Sequence, residues 1–291
     1  MRDIRVALGL SIALASCARS EAASLIHSEA AAPSASLAPS ASPAPFASLA
    51  PSATPSTAAS AISLPPLQDQ GGFVAMDVQG QGPAVVSPPA GATDARPIVI
   101  ALHAHATSAR QACENWRRAT GPVPFLLCPH GVPSHAPEGA PVTLGSVDQT
   151  VREVRAALAA LRQKYAEYLA PGPVVIAGYS LGAKVAVGVL SNLASEASLA
   201  IWGEGGFDDL TSSVVRGYAD HGLRRALLLC RTRACEMSYA PVAKRFEASG
   251  VEVRIASAAT TGHPFEGKVV ETARDAWPWL VRDDPRFGGD P

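Results

Sequence analysis

The chain has 291 residues, enough for one large core or two small ones, and its 24 basic and 25 acidic residues give a formal net charge of -1. So even a balance lacks the basic footprint that nucleic acid or an anionic surface demands, and those partners are excluded. Hydrophobic residues reach 47%, but the first third owes its share to alanine among serine and proline, which do not pack a core.

Arg2 and Arg5 precede an apolar stretch from Val6 to Ala15, too short for a permanent membrane span and of the length of a cleaved export signal. Its end, Leu14-Ala15-Ser16-Cys17, resembles the lipobox of bacterial lipoproteins. That resemblance implies cleavage before Cys17 and a diacylglyceryl group on its thiol, since several acyl chains hold a protein to a bilayer where one does not. Residues 1–17 are therefore expected to be a signal peptide, the product to reside in the cell envelope, and membrane contact to run through the lipid anchor alone. Residues 18–66 continue with repeats such as Pro33-Ser34-Ala35-Ser36 and Pro51-Ser52-Ala53-Thr54. A tract this poor in charge and bulky apolar side chains does not fold, and its proline keeps it semi-extended, as a tether.

From residue 67 to 291 apolar runs of strand length alternate with amphipathic stretches of helix length, the pattern of a mostly parallel sheet with helices on both faces. Phe73 to Val78 and Ala84 to Ser87 are expected to be early antiparallel strands. Pro97 to His103, Phe125 to Cys128, Val174 to Ala177, Leu199 to Trp202, Ala226 to Cys230 and Val251 to Ala256 are expected to come next as buried strands. Helices are expected around Arg110 to Arg118 and near residues 183–194, 238–249 and 266–277. Val151, Val154, Leu158, Leu161, Tyr165 and Tyr168 recur at three- and four-residue spacing and predict one face of a long helix. The stretch between the Leu199 and Ala226 strands suffices for about one helix and its loops, so little or no lid is expected.

With Cys17 set aside, Cys113, Cys128, Cys230 and Cys235 form an even set in an oxidising compartment. Sequence permits three pairings. Cys113 with Cys128, tying a helix to the next strand, and Cys230 with Cys235, closing a short loop, are favoured over a metal site, for which no cysteine pair or histidine stands at ligand spacing.

The segment Val174 to Lys184 reads Val-Val-Ile-Ala-Gly-Tyr-Ser-Leu-Gly-Ala-Lys, a G-x-S-x-G that joins a buried strand to a helix. It resembles the nucleophile elbow of the α/β-hydrolase superfamily, of the compact carboxylesterase, dienelactone hydrolase and polyhydroxyalkanoate depolymerase kind. The resemblance implies a three-layer α/β sandwich, Ser180 as nucleophile, and a base in the loop after the last strand, where Thr261-Gly262-His263-Pro264-Phe265 supplies His263. It also implies oxyanion donors in the backbone N–H groups of Leu181 and His105. Here Ala104 stands where the family often has glycine. An Asp is usual after the strand represented by Ala226 to Cys230, but Arg231 to Glu236 contains none. Glu236 is the acid chosen from that loop; Glu204, Asp208 and Asp209, after the preceding strand, are the alternatives. The activity that the resemblance implies is covalent hydrolysis of a small-molecule or polymer ester, with no cofactor and no metal; a peptidase shares the same residues. The missing Asp and Ala104 also leave open a second class, an inactive hydrolase-fold binding module tethered in the envelope.

Overall fold

A computed structural model describes residues 63–68, 72–137 and 139–288. The expected signal peptide, with Cys17, and the expected tether as far as residue 62 lie outside these residues. Residues 64–67 are engaged by the fold: Leu64 and Leu67 donate backbone hydrogen bonds to the Thr93 and Ala92 carbonyls, and the Tyr168 hydroxyl donates to the Pro65 carbonyl. Among the described residues no helix is long and apolar enough to cross a membrane.

Eight strands form one sheet in the order β1-β2-β4-β3-β5-β6-β7-β8. They are β1 (Val74–Met76), β2 (Ala84–Ser87), β3 (Ile98–Leu102), β4 (Phe125–Cys128), β5 (Val174–Tyr179), β6 (Ala197–Gly203), β7 (Arg225–Cys230) and β8 (Glu252–Ser257). As expected, β1 and β2 pair antiparallel, and the six strands from β3 onward run parallel. Strands β3 to β7 are buried on both faces, which is why they read as unbroken apolar runs rather than alternating ones. On β3, Ile98, Ile100 and Leu102 point into one core cluster, while Val99 and Ala101 point into the other.

Two helices, α1 (Ala109–Thr120) and α6 (Lys268–Val281), cover the second cluster. The first lies beneath α2 (Val147–Tyr165), α3 (Leu181–Asn192), α4 (Ser212–Asp220) and α5 (Arg233–Ala248). Local chemistry sets the starts: Ser108 caps α1 by accepting from the Gln111 N–H, and Ser146 with Gln149 makes a reciprocal capping box at α2. Helix α2 ends at Tyr165, and Tyr168 follows in a 3₁₀ turn over Ala166–Tyr168, where it still packs against the same core cluster while its hydroxyl donates to the Pro65 carbonyl. The stretch between β6 and β7 holds α4, whose Val215 and Tyr218 are buried in the core, so it packs down and forms no lid. Helix α5 begins earlier than predicted because Thr232 caps it, accepting from the Cys235 N–H.

Both favoured disulfides are present, Cys113 to Cys128 and Cys230 to Cys235. The first fastens α1 to β4 across a sequence separation of 15 residues. Closing a loop of that length stabilises by about 3 kcal/mol through the unfolded chain. The double variant Cys113→Ala/Cys128→Ala is therefore expected to unfold at lower denaturant concentration by about that free energy; an unchanged midpoint would show that the bridge constrains nothing the rest of the fold does not.

Candidate active site

The residues that the sequence offers for catalysis all lie at or beyond the carboxyl ends of the parallel strands. Between β5 and α3, Ser180 adopts φ 55° and ψ -117°, a conformation costly for any residue with a β-carbon. Two glycines make the bend possible. A β-carbon on Gly178 would lie 2.4 Å from the Gly182 carbonyl oxygen, and one on Gly182 would lie 2.2 Å from that of Leu102. The second contact seats the start of α3 against the end of β3. It thereby brings the Leu181 N–H, among the first of a helix and so without an intrahelical acceptor, toward the loop that carries His105.

That loop is firmly shaped. The Ala104 carbonyl accepts from the Thr107 hydroxyl at 2.9 Å and faces the His103 Nδ1 at 2.8 Å, and Ala106 turns the chain at φ 54°. Ala104 packs its methyl against the second core cluster. His103 is buried between the carbonyls of Ala104 and His130, and burial holds its pKa below the usual imidazole range. The His105 ring is exposed and sits 3.0 Å from the Thr143 hydroxyl. The two rings thus serve separate partners and do not converge on a common point.

His263 reaches the elbow from the loop after β8, with Nε2 2.6 Å from Ser180 Oγ. With the ring proton on Nδ1, Nε2 is free to accept from the hydroxyl. On the other side of the ring, Nδ1 faces Glu204 Oε2 at 3.7 Å, an ion-pair distance. Glu204 is the residue immediately after β6, at φ 52°, and its side chain is 9% exposed. Its Oε1 accepts from the backbone N–H of Arg231 at 2.5 Å and of Thr232 at 3.4 Å, which aims the other oxygen at the imidazole. Its carboxylate also lies within 4.8 Å of the Cys230 and Cys235 sulfurs.

Glu236, the acid chosen from the sequence, does not face His263. Because α5 starts at Arg233, Glu236 falls in its first turn, where it pairs with Arg233 at 2.5 Å. Hydrogen bonds from Ser257 and Arg233 hold its carboxyl below the usual range. Asp208 and Asp209 are exposed on the way to α4 and make no ion pair with His263 among the described residues. Glu204, one of the three alternatives, is the carboxylate that the fold brings to the ring. A signal for it exists in Gly203-Glu204-Gly205-Gly206. A β-carbon on Gly203 would strike the Tyr179 ring at 2.5 Å, and one on Gly205 the Ser180 carbonyl oxygen at 2.4 Å. The glycines around Glu204 therefore do for the acid what Gly178 and Gly182 do for the serine.

Two further residues went unread in the sequence. Arg231 occupies the strand end where an Asp is usual, and its guanidinium donates to the carbonyls of Thr261, at 2.5 Å, and Pro264. Asn115 of α1 donates to the Phe265 carbonyl at 2.5 Å. Together they clamp both sides of the loop that carries His263. Phe265 completes the anchorage, with its ring 4.8 Å from that of Tyr179 and 4.5 Å from that of Trp116.

The sheet order, the helices on both faces and the strand-turn-helix at Ser180 define an α/β-hydrolase fold. No family model matches the chain, and no curated protein matches its sequence. Solved structures do match in shape. Est1E from Butyrivibrio proteoclasticus has a TM-score of 0.51 at 10% identity, over 72% of this chain and 99% of that one. A dienelactone hydrolase from Anabaena variabilis has a TM-score of 0.51 at 14% identity, over 73% of this chain and 97% of that one. At such identities the likeness is one of fold.

Proposed function

We propose that the chain is a serine hydrolase acting on carboxylic esters, with Ser180 as nucleophile, His263 as general base and Glu204 as the acid that orients it. The observation that carries this reading is the 2.6 Å approach of His263 Nε2 to Ser180 Oγ, made by residues 83 positions apart. In the first step His263 takes the hydroxyl proton as Oγ bonds to the ester carbonyl carbon. The carbonyl oxygen becomes an oxyanion against the N–H groups of Leu181 and His105. The imidazolium, steadied by Glu204, then protonates the leaving alkoxide, and an acyl group remains on Ser180. Water, deprotonated by the same ring, releases the acid and restores the serine. No step calls for a metal or cofactor.

The absence of an Asp after β7, which favours an inactive binding module, is offset by Glu204. One structural relative is named a dienelactone hydrolase, and a lactone is a cyclic ester. A fluorophosphonate probe tests the reading directly: labelling at Ser180 together with turnover of p-nitrophenyl acetate is expected, and folded protein that neither labels nor turns over is a binding module. We also propose that the enzyme is exported and anchored through Cys17. The two disulfides support an oxidising compartment.

Arg231 is proposed as a positioning residue for the base. Arg231→Ala is expected to lower kcat by about 10- to 100-fold with KM little changed, since a base displaced by about 1 Å loses near-attack geometry while ground-state binding persists. Arg231→Lys, which can still reach one carbonyl, is expected to fall between. A change confined to KM or to thermal stability would remove Arg231 from this role.

A further inference from the structure

A cavity of about 240 Å³ opens beside His263, between β3, the start of α1 and the loop after β8. Leu102, Ala112, Trp116, Tyr179 and Phe265 line it, and each is less than a tenth exposed. Its mouth carries Gln111 and Glu266, both exposed, and no lysine or arginine lines it. Polar groups of His103, His105, Thr107 and Asn115 complete the lining, and a mainly apolar interior with a carboxylate at the entrance disfavours an anionic group and favours a neutral one.

The walls are fixed before any ligand arrives. Helix α1 is pinned to β4 by the Cys113 to Cys128 bridge, and Arg117, one residue beyond Trp116, is held by the Ser87, Gly121 and Pro124 carbonyls. The opposite wall is held to α1 by the bond from Asn115 to the Phe265 carbonyl. A preformed cavity of this kind selects by size. It exceeds the roughly 150 Å³ that accommodates benzene in an engineered protein cavity and falls short of the roughly 300–1,000 Å³ of drug-sized sites.

We infer that this cavity is the acyl subsite, and that it takes a compact neutral acyl group of about the size of a benzoyl. The inference rests on the ester-hydrolase reading. The cavity goes to the acyl part for two reasons. Ala104 and His105 form one of its walls, so a carbonyl whose oxygen meets that loop has a substituent of its carbon at the cavity, and the acyl chain is the substituent that stays bound through both steps. The His263 side chain, which hands its proton to the leaving oxygen, borders the cavity on one side but is 60% exposed, so an open path to solvent is left for the alcohol.

The test uses the folded chain with p-nitrophenyl acetate and p-nitrophenyl benzoate, each rate divided by that of the same ester with hydroxide. The benzoate-to-acetate ratio of kcat/KM is expected to be at least about tenfold. It is expected to fall in steps toward one in Ala112→Leu and Ala112→Phe, which fill the cavity from α1, each variant being accepted only if its thermal unfolding and fluorophosphonate labelling match the parent. A ratio near one in the parent, or one that stays high in folded Ala112→Leu and Ala112→Phe, overturns the inference. So does a stronger response to the alcohol in phenyl and 2-naphthyl acetate than to the acid. Failure of the hydrolase reading looks different: neither labelling nor turnover of any ester.

Discussion

Ser180→Ala is expected to reduce ester turnover by about 10⁴- to 10⁶-fold, leaving only what the oxyanion donors and substrate binding achieve without a nucleophile. So large a loss is expected because the proposed serine, base and acid would act as one unit, and removing the oxygen would disable the other two. The fold has little reason to change. The residue 180 N–H still donates to the Gly203 carbonyl at 2.7 Å, and the glycine contacts that shape the bend are backbone contacts. Steady-state kinetics on p-nitrophenyl acetate beside a thermal unfolding curve check both halves. Turnover that survives in a folded variant would show that another group attacks the ester.

Glu204→Gln is expected to lower kcat by about 10²- to 10⁴-fold, whereas Glu236→Gln is expected to change it by no more than about twofold. Glutamine keeps the shape of the side chain but cannot stabilise the imidazolium, and it can present a donor to Nδ1, which disfavours the ring tautomer that leaves Nε2 able to accept. The 3.7 Å separation from Nδ1 is expected to tighten as charge develops on the ring during attack. Glu236 has no such role available, because its carboxylate is spent on Arg233 at the exposed start of α5. A larger loss at Glu236 than at Glu204 would return the orienting role to the loop after β7.

Legible and illegible features of the chain divide along a physical line. Strands β3 to β7 are legible because burial on both faces demands apolar runs, β8 because its apolar residues alternate with polar ones, and Ser180 because its bend demands glycines two residues to either side. His263 is legible as a histidine in the loop after the final strand. The acid is harder. Whether Glu204 or Glu236 meets His263 depends on which strand end lies beside the ring and on where α5 begins, and the start of α5 is set by one side-chain cap at Thr232. Arg231 is invisible for a related reason: an arginine after a strand reads as solvated surface until the carbonyls of Thr261 and Pro264 are placed around it. The cavity is assembled from α1 and a loop some 150 residues away, as the bond from Asn115 to Phe265 measures, and no local pattern announces it.

In the proposed site the carboxylate comes from the end of β6 rather than from the end of β7, where the resemblance to the hydrolases places it. Parallel strands all surface along one rim, spaced about 4.8 Å apart, so adjacent termini are nearly interchangeable vantage points on the same imidazole. Glutamate's extra methylene spans part of that interval. With the carboxylate on β6, the end of β7 is open to a residue of opposite sign, and Arg231 there grips the neighbouring loop.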